Sequence, residues 1–152
     1  MHEDPLTAPN AIFDGALAVD HVGIATADLD ATIALYVTAF GLHEVHREEN
    51  AEQGVVEAML AADRADGAML QVLAPLSPDS AIARFLDRSG PGLQQLALQV
   101  ADIEATSQRI RRLGLRLLYP QPRSGTAGSM INFVHPKDAG GVLVELVQPA
   151  AG

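Results

Sequence analysis

The chain has 152 residues, 48% of them hydrophobic and 19% charged, which is enough apolar material to give one domain, or two small fused modules, a real core. It contains no cysteine, so disulfides, zinc–thiolate centres and thiol nucleophiles are excluded, and a reducing, cytoplasmic setting is expected. A net charge of −9 argues against nucleic acid as a partner and leaves few cations for any anionic substrate.

The first ten residues, MHEDPLTAPN, lack a basic n-region and an apolar h-region, so no secretory signal is expected, and residues 1–15 read as a flexible arm. No apolar run approaches the roughly 18 residues of a membrane span. The first regular element is an apolar-rich strand through DHVGIA, from Asp20. Asp28 follows as the expected N-cap of an amphipathic helix with Ile33, Val37 and Phe40 on its apolar stripe, and Gly41 ends it. Strands are expected at about 43–49 and 54–62, then at Met69–Pro75. SAIARFLDRSG, over 80–90, reads as a short linking helix.

The pattern then begins again. A strand from Gln94, QQLALQV, runs into Asp102, and a helix carrying Ile103, Ile110 and Leu113 stops at Gly114. Strands are expected at about 115–118 and 129–135, and at 143–149, LVELVQP. Asp28 and Asp102 are 74 residues apart, and the same offset carries MLQVLAP at 69–75 onto LVELVQP at 143–149. A match of strand, cap, helix and terminal strand at one offset points to an internal duplication. The plain reading is two strand–helix units in an α+β domain. The sharper one is two tandem βαβββ modules, about 16–76 and 91–149, joined by the linker helix into a single domain over 16–150, whose open sheet encloses a cavity.

Side chains alternate faces along a strand. Val22 and Ile24 are expected to face a helix, with His21 on the other face; Leu96, Leu98 and Val100 face the second helix, leaving Gln95 toward the cavity. The offset carries His21 onto Gln95 and Gln71 onto Glu145. Any one of these polar residues is accounted for by a solvent-facing sheet edge. Four related by one repeat operator on apolar strands point instead to a shared site, because a carboxylate buried alone is costly. Imidazole, carboxylate and amide oxygen all bind divalent metals, although this set has no second histidine. Glu57 stands apart, since the offset places the apolar Ile131 at its equivalent position.

The two-module pattern resembles the vicinal-oxygen-chelate superfamily, which includes glyoxalases, bleomycin-resistance proteins and dioxygenases. Within it, HREENAEQGVVEAML (46–60) is similar to the methylmalonyl-CoA epimerase family, in which an E-Q-G-V turn leads into a strand carrying a glutamate, here Glu57. DHVGIA (20–25), APLSPDSAIARFL (74–86), INFVHPK (131–137) and GGVLVELVQP (140–149) extend the resemblance over roughly residues 18–149.

The resemblance implies a racemase/epimerase isomerase of propionate metabolism that interconverts (2R)- and (2S)-methylmalonyl-CoA by 1,1-proton transfer through an enolate. It implies Glu57 and Glu145 as the acid/base pair, and His21, Gln71, Gln95 and Glu145 as ligands of a divalent metal, cobalt or another transition metal, weakly held. Two positions depart from the family pattern: Gln94-Gln95 replaces the common His-His, and Met130 a common arginine. Arg123 and Lys137 are the candidate cations for the CoA phosphates, and a homodimer is expected. The competing readings are a non-catalytic protein of the same fold that sequesters a small molecule, and a related enzyme acting on another acyl-CoA.

Overall fold

The computed structural model describes residues 15–64 and 66–151. The arm expected over residues 1–15 falls, up to residue 14, outside them. The elements in chain order are β1 (Ala16–Ala25), α1 (Leu29–Phe40), β2 (His43–Asn50), β3 (Val55–Ala61), β4 (Met69–Pro75), α2 (Ala81–Ser89), β5 (Gly92–Val100), α3 (Ile103–Arg112), β6 (Arg123–Ser124), β7 (Met130–Val134) and β8 (Val144–Gln148). Two 3-10 turns, Thr126–Gly128 and Pro136–Asp138, interrupt the second half. Among the described residues no helix is long and apolar enough to cross a membrane.

Local chemistry sets the helix ends. Asp28 accepts a hydrogen bond from the Ala31 N–H, Asp102 from those of Glu104 and Ala105, and Ser80 from that of Ala83. Gly41 terminates α1 in the left-handed conformation, φ 71°, which costs a residue without Cβ nothing.

The eight strands form one sheet in the order β2-β3-β4-β1-β5-β8-β7-β6. The order reads the same from either end once strands four places apart in sequence are exchanged. The α+β architecture of two side-by-side units therefore stands as expected. The junction is the antiparallel pair β1–β5, flanked by the parallel pairs β1–β4 and β5–β8.

One face of the sheet is covered by α1, whose Leu29 and Ile33 pack with Ala58, Leu60, Val72 and Ala74, and by α3, whose Ile103 packs with Val100 and Leu146. Burying one such leucine, isoleucine or valine stabilises the fold by about 1.5–3 kcal/mol. On the opposite, concave face Ile82 of α2 packs with Ala25, Val55 and Leu73 and so closes one end of the trough.

Three expectations need correction. The buried stripe of α1 runs through Leu29, Ile33 and Tyr36, whereas Val37 and Phe40 are exposed. Both stripes have helical spacing, but only the first faces the sheet. Leu113, the C-cap of α3, is likewise exposed, and the small Thr106 and Ser107 are buried in its place. No strand forms over 115–118. Leu117 makes a single bridge to Val134, and the edge of the second half is instead the two-residue β6.

Candidate active site

The strand register brings the four repeat-related polar residues to the middle of the concave face. Gly23 lies beside Gln71 on β4 and opposite Gln95 on β5, while Ala97 lies beside Glu145 on β8 and opposite His21 on β1. The 74-residue operator maps this set of pairings onto itself. Gly23 sits where the equivalent residue is Ala97, and the reason is steric: a Cβ at Gly23 would lie 2.5 Å from Cγ of Gln95.

His21, Gln71, Gln95 and Glu145 are all buried. The Gln95 Nε2 donates to the Gln71 Oε1 at 2.7 Å and sits 3.3 Å from the His21 Nε2. The Glu145 Oε1 lies 3.0 Å from that same imidazole nitrogen. On the other side of the ring, Nδ1 donates to the Asp20 Oδ2 at 2.7 Å. Burial opposes a charge on His21, but the hydrogen bonds to Asp20 and Glu145 outweigh it, and its pKa is pushed up to about 9.

Glu57, on β3 between Val55 and Met59, also faces the trough and is 3% exposed. Its Oε2 accepts from the Gln71 Nε2 at 2.8 Å, and its Oε1 from the Thr126 hydroxyl. Burial raises its pKa; the Thr126 bond opposes this, and the charges of Glu48 and Glu145 add to it. Gln71 thus links the fourfold cluster to the unpaired glutamate.

Thr126 belongs to a strap, residues 124–128, that reaches from β6 across the trough to β2. The Ala127 N–H donates to the Glu48 Oε1 at 2.6 Å, and the Asn50 side chain to the Ser124 carbonyl at 3.3 Å. Ala127 holds φ 53°, ψ 39°, a conformation unusual for a residue with a Cβ. Beneath the strap the trough divides into two cavities. One is lined by Glu57, Gln71, Gln95, Gln53 and Tyr119, the other by Asp20, His21, His46 and Met59; Thr126, Ile131 and Glu145 line both.

The remaining expected residues lie at the periphery. The Arg123 guanidinium stacks over the Tyr119 ring, 3.9 Å from its centroid. Lys137 is exposed on the turn after β7 and lines neither of these cavities. Met130 is exposed and alternates with Ile131 and Phe133, whose side chains line the cavity, so it belongs to the opposite face of β7.

Strand alternation missed Asp20 and Gln94. The β1–β5 ladder skips a residue between Val19 and His21 and again between Leu93 and Gln95, leaving Asp20 and Gln94 unpaired in bulges. A bulge re-aims a side chain, here toward the trough. The two bulged residues are themselves 74 apart. Thr126 was missed because no periodicity governs a strap; the glycines at 125 and 128 were its only signal.

Among the described residues no three His, Cys, Asp or Glu side chains cluster as a metal site. The donor set nevertheless suits a divalent cation once amide oxygens are counted. The His21 Nε2, Gln71 Oε1 and Glu145 Oε1 converge, and Asp20 holds the imidazole from behind, as an outer carboxylate does for a metal-bound histidine. Gln95 presents its nitrogen, so it joins only by turning its amide.

This arrangement, a duplicated unit whose central strands converge on a buried imidazole, carboxylate and paired amides, defines a class. Residues 20–133 match the Glyoxalase/Bleomycin resistance protein/Dioxygenase superfamily, and the chain belongs to it. Within that superfamily it is 53% identical to a methylmalonyl-CoA epimerase from Mycobacterium tuberculosis, with a TM-score of 0.86 over 90% of each chain. A solved methylmalonyl-CoA epimerase in complex with methylmalonyl-CoA and NH4+ is 46% identical, with a TM-score of 0.86 over 90% of this chain and 97% of the other. An ethylmalonyl-CoA/methylmalonyl-CoA epimerase from Cereibacter sphaeroides is 33% identical over 132 residues, 86% of this chain and 96% of the relative.

Proposed function

We propose that the chain interconverts (2R)- and (2S)-methylmalonyl-CoA by moving the proton on C2. The observation that carries this reading is the pair of buried carboxylates, Glu57 and Glu145, which line one cavity and are joined in turn through Gln71, Gln95 and His21. A protein that merely sequestered a ligand would have no use for two carboxylates held out of water, each costly unless paired.

The substrate carbon lies between a thioester and a carboxylate, so loss of its proton gives an enolate with charge on the thioester oxygen. Glu57 takes the proton on one face and Glu145 returns one on the other, or the reverse. Burial raises the Glu57 pKa toward that of a useful general base. Positioned transfer of this kind contributes on the order of 10²–10⁴ in rate. Burial beneath the strap limits exchange of the moving proton with bulk water.

His21, Gln71, Glu145 and, with its amide turned, Gln95 would hold a divalent metal, which when bound supplies Lewis acidity toward the enolate oxygen. Replacing a second imidazole by an amide makes the holding weak and lessens the advantage of cobalt or nickel. Gln95, where it does not serve as a ligand, donates its N–H to the developing oxyanion.

Incubation of the purified protein with one epimer in D₂O, followed by NMR at C2, tests the reading. Deuterium uptake with formation of the other epimer is expected; binding without uptake would leave a sequestering protein. The homodimer and the cytoplasmic setting belong to the same proposal and are tested by light scattering and fractionation.

A further inference from the structure

Three residues of β2 turn toward the trough. His46, Glu48 and Asn50 are half-buried, whereas Val45, Arg47 and Glu49 between them are exposed, as two-residue alternation requires. Asn50 is engaged with backbone on both sides: its Nδ2 donates to the Ser124 carbonyl, and its Oδ1 accepts from the Gln53 N–H at 3.1 Å. The other two form a pair, in which the His46 Nε2 donates to the Glu48 Oε1 at 2.8 Å. The place of Glu48 is electrostatically unfavourable. It lies directly across the β2–β3 ladder from Glu57, and like charges facing each other on neighbouring strands destabilise a sheet. Burial also opposes its charge, yet the bonds from Ala127 and His46 outweigh it and hold the carboxyl below its ordinary pKa. A carboxylate kept ionised beside a second, buried carboxylate calls for a use.

The same Glu48 oxygen grips the tip of the strap, accepting the Ala127 N–H at 2.6 Å. Ala127 alone among the described non-glycine residues has a positive φ, a conformation that a residue with a Cβ adopts only when something holds it there. The base of the strap closes on itself: the Gly125 N–H donates to the Ser129 carbonyl at 2.9 Å, and the Ser129 N–H to the Thr126 carbonyl at 3.1 Å. Thr126 is therefore fixed on both sides, by its own carbonyl and by the N–H of the residue that follows. Its hydroxyl oxygen accepts from the Gln71 Nε2 at 3.1 Å, which leaves its proton for the Glu57 Oε1. The Gln71 Nε2 also holds the other Glu57 oxygen. Without the Thr126 bond the Glu57 carboxylate would be free to swing about that single contact.

We infer that Glu48, oriented by His46, is a positioning residue for Glu57: it pins the Ala127 N–H and thereby sets the Thr126 hydroxyl against the Glu57 carboxyl. The inference rests on the reading of Glu57 as an acid/base group and adds the two residues that aim it. Both act through the strap rather than on the substrate.

Two substitutions at Glu48 separate its roles. Glu48→Ala removes the grip, whereas Glu48→Gln keeps an oxygen that can accept the Ala127 N–H. Glu48→Ala should lower kcat for epimerisation by roughly 10–10²-fold with KM little changed, because a misplaced base loses rate rather than ground-state binding. Glu48→Gln should restore most of kcat, and His46→Ala should fall between the two. Since the effect passes through Thr126, adding Glu48→Ala to Thr126→Val should cost no more than about twofold further. Losses that multiply in the double variant, a defect confined to KM, or a Glu48→Gln as poor as Glu48→Ala would each overturn the assignment. NMR without substrate reads the same chain of contacts independently of turnover. The Ala127 amide should be protected from exchange in the wild-type chain and in Glu48→Gln, and unprotected in Glu48→Ala. The Glu57 carboxyl resonance should move more in Glu48→Ala than in Glu48→Gln, where only the charge is lost. Those two results support the positioning even in a protein that epimerises nothing; an Ala127 amide equally protected in all three, or a Glu57 resonance that moves alike in both variants, overturns it in an active enzyme as well.

Discussion

His21 and Gln95 occupy the same place in the two halves of the molecule, and their side chains meet, Nε2 to Nε2, at 3.3 Å. The pseudo-symmetric junction of the sheet is therefore also where the proposed site residues meet. Two copies of a strand that each bring one polar side chain to the junction place those side chains in contact without any further evolution of the fold. The two halves differ in charge: Glu145 stands where the first half has the neutral Gln71, while Ile131 stands where the first half has Glu57.

That asymmetry separates the two glutamates. Glu57→Gln and Glu145→Gln should each reduce epimerisation by at least about 10²-fold. A variant keeping one base can still remove and return a proton on its own face, so Glu57→Gln should exchange deuterium into one epimer and Glu145→Gln into the other, less strongly because it also loses the only anionic member of the cluster. Near wild-type epimerisation by Glu57→Gln would rule out a two-glutamate mechanism.

Thr126 opposes the rise in the Glu57 pKa. In Thr126→Val that opposition is lost, so Glu57 should stay protonated to higher pH. The acid limb of the kcat/KM profile should then move to higher pH, with a several-fold loss of activity below it. An unmoved limb would mean that the limb does not report Glu57.

Stability of the metal-free protein should fall in alkali. The His21 pKa is raised from 6.5 to about 9, so its contribution is fully present below 6.5 and is lost as pH rises through about 9. The size is on the order of a few kcal/mol, since one pH unit of difference corresponds to about 1.4 kcal/mol. Glu57, also raised, acts in the same sense at lower pH, its contribution being lost as pH rises from about 4.5 through its folded value. Urea unfolding from pH 6 to 10 should show the decline in the wild-type chain and little of it in His21→Asn.

Gly23→Ala should be costly although no left-handed conformation is involved. The added methyl would lie 2.5 Å from the Gln95 Cγ, so either the strand pair separates or Gln95 leaves the cluster. A loss of about 1–3 kcal/mol in stability is expected, together with most of the activity. The reciprocal Ala97→Gly should be much milder.

Metal binding should be micromolar or poorer and readily reversed by chelator. It is measured by calorimetry and by the rise in thermal midpoint with added cobalt, which follows from mass action on the folded state. Tight, chelator-resistant binding would contradict a donor set with one imidazole and two amides.

Much of this arrangement was legible because the duplicated features are local. Asp28 and Asp102 cap, Gly41 ends a helix, and one offset relates the terminal strands, so the order of elements and the four central residues followed from spacing. The rest depended on irregularity. Asp20 and Gln94 were hidden by the period-two rule, since a bulge places them on a face that alternation denies them. Val37 and Phe40 have the right spacing for a buried stripe, but helical periodicity cannot say which of two adjacent stripes meets the sheet. Thr126 and Glu57 are 69 residues apart and meet only because the strap crosses the trough.

The strap also bears on how the molecule behaves in a crowded solution. An open sheet ends in two strands with unsatisfied backbone groups, each a template for pairing with another chain. Here one edge strand, HEVHREEN, is dense in charge, and the other is only two residues long. The Glu48–Ala127 and Asn50–Ser124 bonds tie the two edges to each other. Weakening the strap should therefore open the reaction chamber and at the same time release two sticky margins, so that aggregation on storage becomes a visible sign of a loosened active site.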